Sequence, residues 1–112
     1  MITPSLTLER FKAIKTYFDE NGSISAYKEA FNEDAVVIDD MKQYTGIDDI
    51  LAWRHEAYRR YSHTTTPIRV DISGDKIAVI ALVVGHFSGS PINLQFEFYI
   101  QNEKISKLEI KA

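Results

Sequence analysis

Hydrophobic and polar positions change rhythm along this chain. Before Pro67 apolar residues tend to recur every three or four positions; after it they alternate or run without a break. Leu8, Phe11, Ile14 and Phe18 lie at helical spacing and predict a first helix. Thr3 serves as its N-cap, Pro4 sits in its first turn, and Asn21–Gly22 stops it. Ile24, Tyr27 and Phe31 predict a short second helix that starts at Ser23 or Ser25. The stretch "AVVIDDMKQYTG" then reads as a brief strand at Val36, Val37 and Ile38 that meets two aspartates and turns through Tyr44 to a glycine. "TGID", Thr45 to Asp48, has the form of a capping box. The helix it opens presents Ile47, Ile50, Leu51, Ala57, Tyr58 and Tyr61 on one face. Arg54 shares that face, an unusual place for a charge, and Trp53 flanks it.

The second half reads as strands. "IRVDIS" alternates, "SGD" turns, and "KIAVIALVVGHF" is apolar on both faces, as a strand covered on both sides must be. "SGSP" turns again, "INLQFEFYI" alternates, "QNEK" turns, and "ISKLEIKA" forms a last strand. Helices followed by antiparallel strands predict an α+β fold, with the helices on one face of a meander. The 112 residues suit a single domain spanning 1–112. One face of Lys76–Phe87 packs under the helices. The other needs a cover, and a second copy of the chain is the simplest one, so a homodimer through the sheet face is expected.

Composition narrows the functional classes. The formal charge is −3, from 13 basic and 16 acidic residues, against the basic stripe expected of a nucleic-acid partner. The dense run "RHEAYRRYSH" reads as a solvated helix end, where the dipole favours cations. There are no cysteines, so disulfides and thiolate metal sites drop out. No apolar run approaches the ~20 residues of a membrane helix, and "MITPSLTLER" lacks a signal-like core, so a cytoplasmic protein without membrane partners is expected. His55 and Glu56 begin an "HExxH" that fails at Arg59, and His55 and His63 are too far apart on a helix for one ion. Neither a nucleophile elbow nor a phosphate-binding glycine loop is present. No metal and no cofactor is expected.

Three stretches, "YFDENGSISAYKEAFNEDAVVIDD", "YTGIDDILAW" and "GHFSGSPINLQFEFYIQNEKISKLEI", resemble the nuclear transport factor 2-like superfamily, and within it the SnoaL-like, ketosteroid-isomerase-like branch. The resemblance implies a cone-shaped, cystatin-like α+β fold. Its N-terminal helices pack in the concave face of a strongly curved, mainly antiparallel sheet, around an internal pocket for a small apolar or carbonyl-containing molecule. It also implies a dimer through the sheet. Activities in the superfamily include isomerisation, ring closure, dehydration and epoxide hydrolysis, and other members only bind or assemble. Fold does not choose among these.

Carried over residue by residue, the isomerase pattern places its general base at Asp39. Its oxyanion tyrosine aligns with Lys15; Tyr17, two positions on, is rotated by roughly half a circle. Its second donor aligns with Gln95 or Phe96, neither of them an acid. An oxyanion donor is worth on the order of 3–4 kcal/mol, so steroid isomerisation by the known mechanism is not expected. Asp39 has two readings, a desolvated base at the pocket mouth or a strand-end carboxylate bonded to backbone or Arg54. Asp40 reads as a solvated turn residue. Arg54 neutralises a buried acid, snorkels its head to the surface, or receives a ligand carboxylate or carbonyl. Tyr17, Tyr44, Trp53, Phe96 and Phe98 count as pocket wall. Which sheet face is concave is open from sequence. If it is the face of Leu82, Val84 and His86, those residues join the pocket, and His86 pairs with Asp39 in proton transfer.

Overall fold

A computed structural model describes residues 8–112. Among these residues three helices precede and interrupt a six-stranded sheet: α1 Lys12–Tyr17, α2 Ile24–Glu29, β1 Phe31–Asp39, β2 Lys42–Thr45, α3 Ile47–Tyr61, β3 Thr64–Ser73, β4 Lys76–Val84, β5 Ile92–Gln101 and β6 Lys104–Lys111. The strand order is β2-β1-β6-β5-β4-β3. Only β1 and β6 run parallel; every other neighbouring pair is antiparallel. The α+β class and the curved, mainly antiparallel sheet agree with the sequence reading.

The helical half differs in detail. The expected caps Thr3 and Pro4 lie outside the described residues. The single long first helix does not form across Phe11, whose backbone is non-helical at φ −126°, ψ 80° and bonds back to the Leu8 carbonyl. That turn lets Leu8 and Ile14 both reach the core. The second helix starts as one of the two expectations had it: Ser23 is the N-cap, and its hydroxyl accepts from the Ala26 amide at 3.0 Å. Ile24, expected inside, is exposed, and Phe31 belongs to β1. Thr45 is not the cap of α3. It lies in β2, paired with Val36 of β1, and the cap is Gly46 at φ +86°, a region glycine enters freely. Asp48 and Asp49 in the first turn and Arg59 and Arg60 in the last complement the helix dipole.

β2 escaped the sequence reading because "KQYT" carries one apolar residue and no period. It is an edge strand, where such a composition is tolerated. Asp40 and Met41, at φ 52° and 63°, make the two-residue turn that joins it to β1, so Asp40 is the solvated turn residue anticipated.

The register decides which side chains share a face. One row crosses the sheet as Tyr44, Val37, Leu108, Phe98, Ile77 and Ile72. The next runs Asp39, Ile110, Phe96, Val79 and Val70. These rows face the helices, and their central members form the core with Ile14, Tyr27, Phe31 and Ile50. On β4 the inward set is Ile77, Val79, Ala81 and Val83, all buried. The outward set is Ala78, Ile80, Leu82 and Val84, and Val84 is 44% exposed. Leu82 and Val84 therefore lie on the outer side, His86 follows beyond the end of the strand, and none of the three lines the recess, so the expectation that they line the pocket is corrected. A strand apolar on both faces leaves that parity open until its neighbours are known.

Candidate functional site

The inner face, α1 and α3 enclose a half-open recess of about 800 Å³. Asp39 enters it because β1 ends there in the inward row, beside Ile110 and two strands from Phe96. The indole Nε1–H of Trp53, half-buried on α3, donates to Asp39 Oδ2 at 3.0 Å. Among the described residues no hydrogen bond reaches Asp39 Oδ1 and no cation pairs with the carboxylate. The expected link to Arg54 is thus not an ion pair. Arg54 instead lays its guanidinium over the Tyr27 ring, 4.3 Å from the centroid.

Tyr17 also turns inward, while Lys15 is exposed and paired with Glu9. The half circle between them puts the tyrosine in the recess and the lysine in solvent, the reverse of what the ungapped alignment supplies. Tyr17 packs among Phe18, Tyr27, Phe31, Phe96 and Phe98, with centroid separations of 5.0–6.3 Å. Burial raises its hydroxyl well above the ordinary tyrosine range. The nearby Tyr27 and the charge of Asp39 push the same way, and Arg54 opposes. Tyr17 is therefore an O–H donor at any physiological pH.

The remaining candidates divide. Trp53, Arg54 and Phe96 line the recess with Asp39 and Tyr17. Phe98 is fully buried core behind the wall. Tyr44 stacks on Trp53 at 6.0 Å and supports it from outside. His86 is exposed and does not line the recess; its backbone N–H bonds the Tyr61 carbonyl at 2.8 Å. It is not brought near Asp39, and the pairing expected of them does not occur.

Two histidines line the recess, His55, which is exposed, and the half-buried His63; the sequence reading considered both only as metal ligands. The one turned toward its interior is His63. It follows the left-handed Ser62 cap of α3. Its Nδ1 is buried without a hydrogen-bond partner. Burial pushes the imidazole below its ordinary pKa, against the opposing pull of Glu20 and Asp39. Helix period alone could not have found it, because it lies one residue past the turn where the period ends. Among the described residues no three His, Asp or Glu side chains gather as a metal site, and no helix is long and apolar enough to cross a membrane.

The architecture is shared with known proteins. A candidate polyketide cyclase from Sinorhizobium meliloti superposes with a TM-score of 0.85 at 35% identity, over 89% of this chain and 94% of that one. A SnoaL-like candidate polyketide cyclase from Jannaschia sp. reaches 0.74 at 16% identity, over 98% and 88%. A ketosteroid-isomerase-like protein of Catenulispora acidiphila, solved with trimethylamine, reaches 0.76 at 17%, over 99% and 87%. No protein-family model matches the chain, and no curated protein does. The chain belongs to the SnoaL-like branch of the nuclear transport factor 2-like superfamily.

Proposed function

We propose that the recess binds a small, largely apolar molecule bearing a carbonyl, and that Asp39 moves a proton on it without a cofactor. One observation carries this reading. Asp39 stands inside an aromatic-walled recess, held at one oxygen by a neutral N–H while its other oxygen has no partner among the described residues. A carboxylate so oriented and left open suits a general base. In the step it supports, Asp39 takes a proton from the carbon beside the ligand carbonyl. The C–H electron pair passes to the carbonyl oxygen, and the Tyr17 hydroxyl is at hand for the enolate. Returning the proton elsewhere completes an isomerisation; attack of the enolate carbon on a second carbonyl closes a ring.

The test is deuterium uptake from D2O at the activated carbon of 1,3-diketones, followed by NMR. Asn at position 39 can still accept from Trp53 but cannot act as a base. Asp39→Asn is expected to slow exchange by about 10²- to 10⁴-fold. Binding and folding persist. If wild type binds the diketones but exchanges no faster than buffer, the recess is a non-catalytic binding site. If Asp39→Asn unfolds the chain, the carboxylate is a strand-end lock.

The outer stripe of β4 favours a second feature, a homodimer. Ala78, Ile80 and Leu82 are half-buried and Val84 is exposed, on a face no helix of the described chain covers. Sedimentation at micromolar concentration should give a dimer that Leu82→Glu dissociates. A monomeric wild type ends this proposal.

A further inference from the structure

We infer that the molecule held in this recess carries a carboxylate, and that Arg54 receives it. The inference rests on the recess being a ligand site, as proposed above, and adds the ligand's charge. Arg54 belongs to the stripe of α3 that runs Ile50, Arg54, Ala57, Tyr61, so helix period alone turns it inward. Its guanidinium is fixed by stacking on Tyr27, a ring only 5% exposed that cannot move aside. Stacking engages the face of the guanidinium and leaves its N–H edge for a planar acceptor. Among the described residues nothing takes that edge: no ion pair and no hydrogen bond involves Arg54.

The carboxylates around the recess are differently placed. Asp19 Oδ1 accepts from the Asn21 amide at 3.0 Å, and Glu20 Oε1 accepts from the Thr65 amide at 2.7 Å. Both are exposed at the rim, as is Asp40 in its turn. Asp39, the one carboxylate well inside, is engaged with Trp53. A half-buried cation with open donors is the uncompensated group, and a neutral carbonyl would leave it so. A carboxylate matches it, with two oxygens in the plane of two N–H groups. A phosphate dianion does not. The recess offers one fixed cation and four carboxylates, too little positive charge for a second unit of negative charge. Arg54 and Asp39 both line the recess with Tyr17, so both border the space where the ligand lies. An acid proton toward Asp39 and a carboxylate toward Arg54 describe a keto acid, or a ring acid with an activated carbon.

The probes are 1-naphthoate and 1-naphthamide, equal in shape and different in charge, titrated into the full chain. Trp53, the only tryptophan, lines the recess and reports binding by fluorescence. Wild type is expected to bind naphthoate more tightly than naphthamide by about 10- to 100-fold. Arg54→Gln should level the two, and Arg54→Lys should keep part of the preference. The wild-type ratio needs no variant, so a misfolded Arg54→Gln would not hide the answer. Equal affinities, no binding of either probe at millimolar concentration, or a preference that survives Arg54→Gln overturns the inference. Diketone exchange sensitive to Asp39→Asn would then still stand. Loss of that exchange with the naphthoate preference intact would overturn only the proton-transfer reading.

Discussion

Two carboxylates on opposite faces of one sheet show what a structural acid and an available acid look like. Glu97, on the outer face of β5, is 5% exposed and fully engaged. Lys111 Nζ lies 3.1 Å from one oxygen, and Lys76 Nζ lies 3.8 Å from the other, to which the Gln95 amide also donates. Asp39, on the inner face, has one neutral donor and, among the described residues, no cation. The first is consumed by its surroundings. The second is oriented and left open. The decisive difference is whether charge is already compensated, since both lie largely out of solvent.

The comparison is broken most severely at the seam that keeps the recess in shape. Gly85, just past β4, packs under the end of α3: a Cβ placed there would lie 2.8 Å from the Tyr61 carbonyl oxygen and 2.9 Å from His63 Cβ. The Tyr61 carbonyl is fixed by the His86 amide at 2.8 Å, so the backbone cannot give way cheaply. Gly85→Ala should cost about 1–3 kcal/mol by overpacking. It should also loosen the wall around His63 and weaken ligand affinity, while leaving the Glu97 cluster untouched. Urea denaturation and naphthoate titration read the two effects. An unchanged midpoint would mean that α3 and the β4–β5 loop are not rigidly joined, and that the recess is softer than its hydrogen bonds suggest.

Much of this was legible in the sequence, and the losses have physical causes. Asp39 was found because an apolar run that stops at a carboxylate places it at a strand end. Arg54 fell on the inward face, with Trp53 on its flank, because helix period sets a face. The pairing among them was not, because nothing in the spacing says that the indole and not the guanidinium reaches Asp39. The side of His86, Leu82 and Val84 stayed open because side-chain period in a strand is two. On a strand apolar on both faces, a one-residue error in parity is invisible. Glu97 carried no signal of burial. It alternates with Phe96 and Phe98 like any solvent-facing residue, and only the cross-strand neighbours Ala78 and Glu109, with the lysines beyond, close over it.

That closure supports the smallest of the expected effects, on pH. Burial by itself raises the pKa of Glu97. Hydrogen bonds from Lys111 and Gln95, with the charges of Lys111 and Lys76, outweigh it and hold the carboxyl below its ordinary value. Lys111 is correspondingly raised by Glu97. A carboxyl depressed in the folded chain adds stability that is complete above its unfolded value near 4.3. That stability is lost as pH falls through the lower folded value. The cover over Glu97 is only one layer of side chains, and both lysine heads reach solvent, so water screens the cluster. A contribution of about 1 kcal/mol is therefore expected, nearer a surface pair than a deeply buried one. Urea midpoints of wild type and Glu97→Gln should differ by that much at pH 7 and converge as pH falls through the depressed folded value, and diketone exchange should be the same in both. A Glu97→Gln chain as stable as wild type at pH 7 would mean that the cluster is neutral to folding. Slowed exchange in that variant would mean that the two faces are coupled through β5, and the contrast between the two acids would no longer be one of place alone.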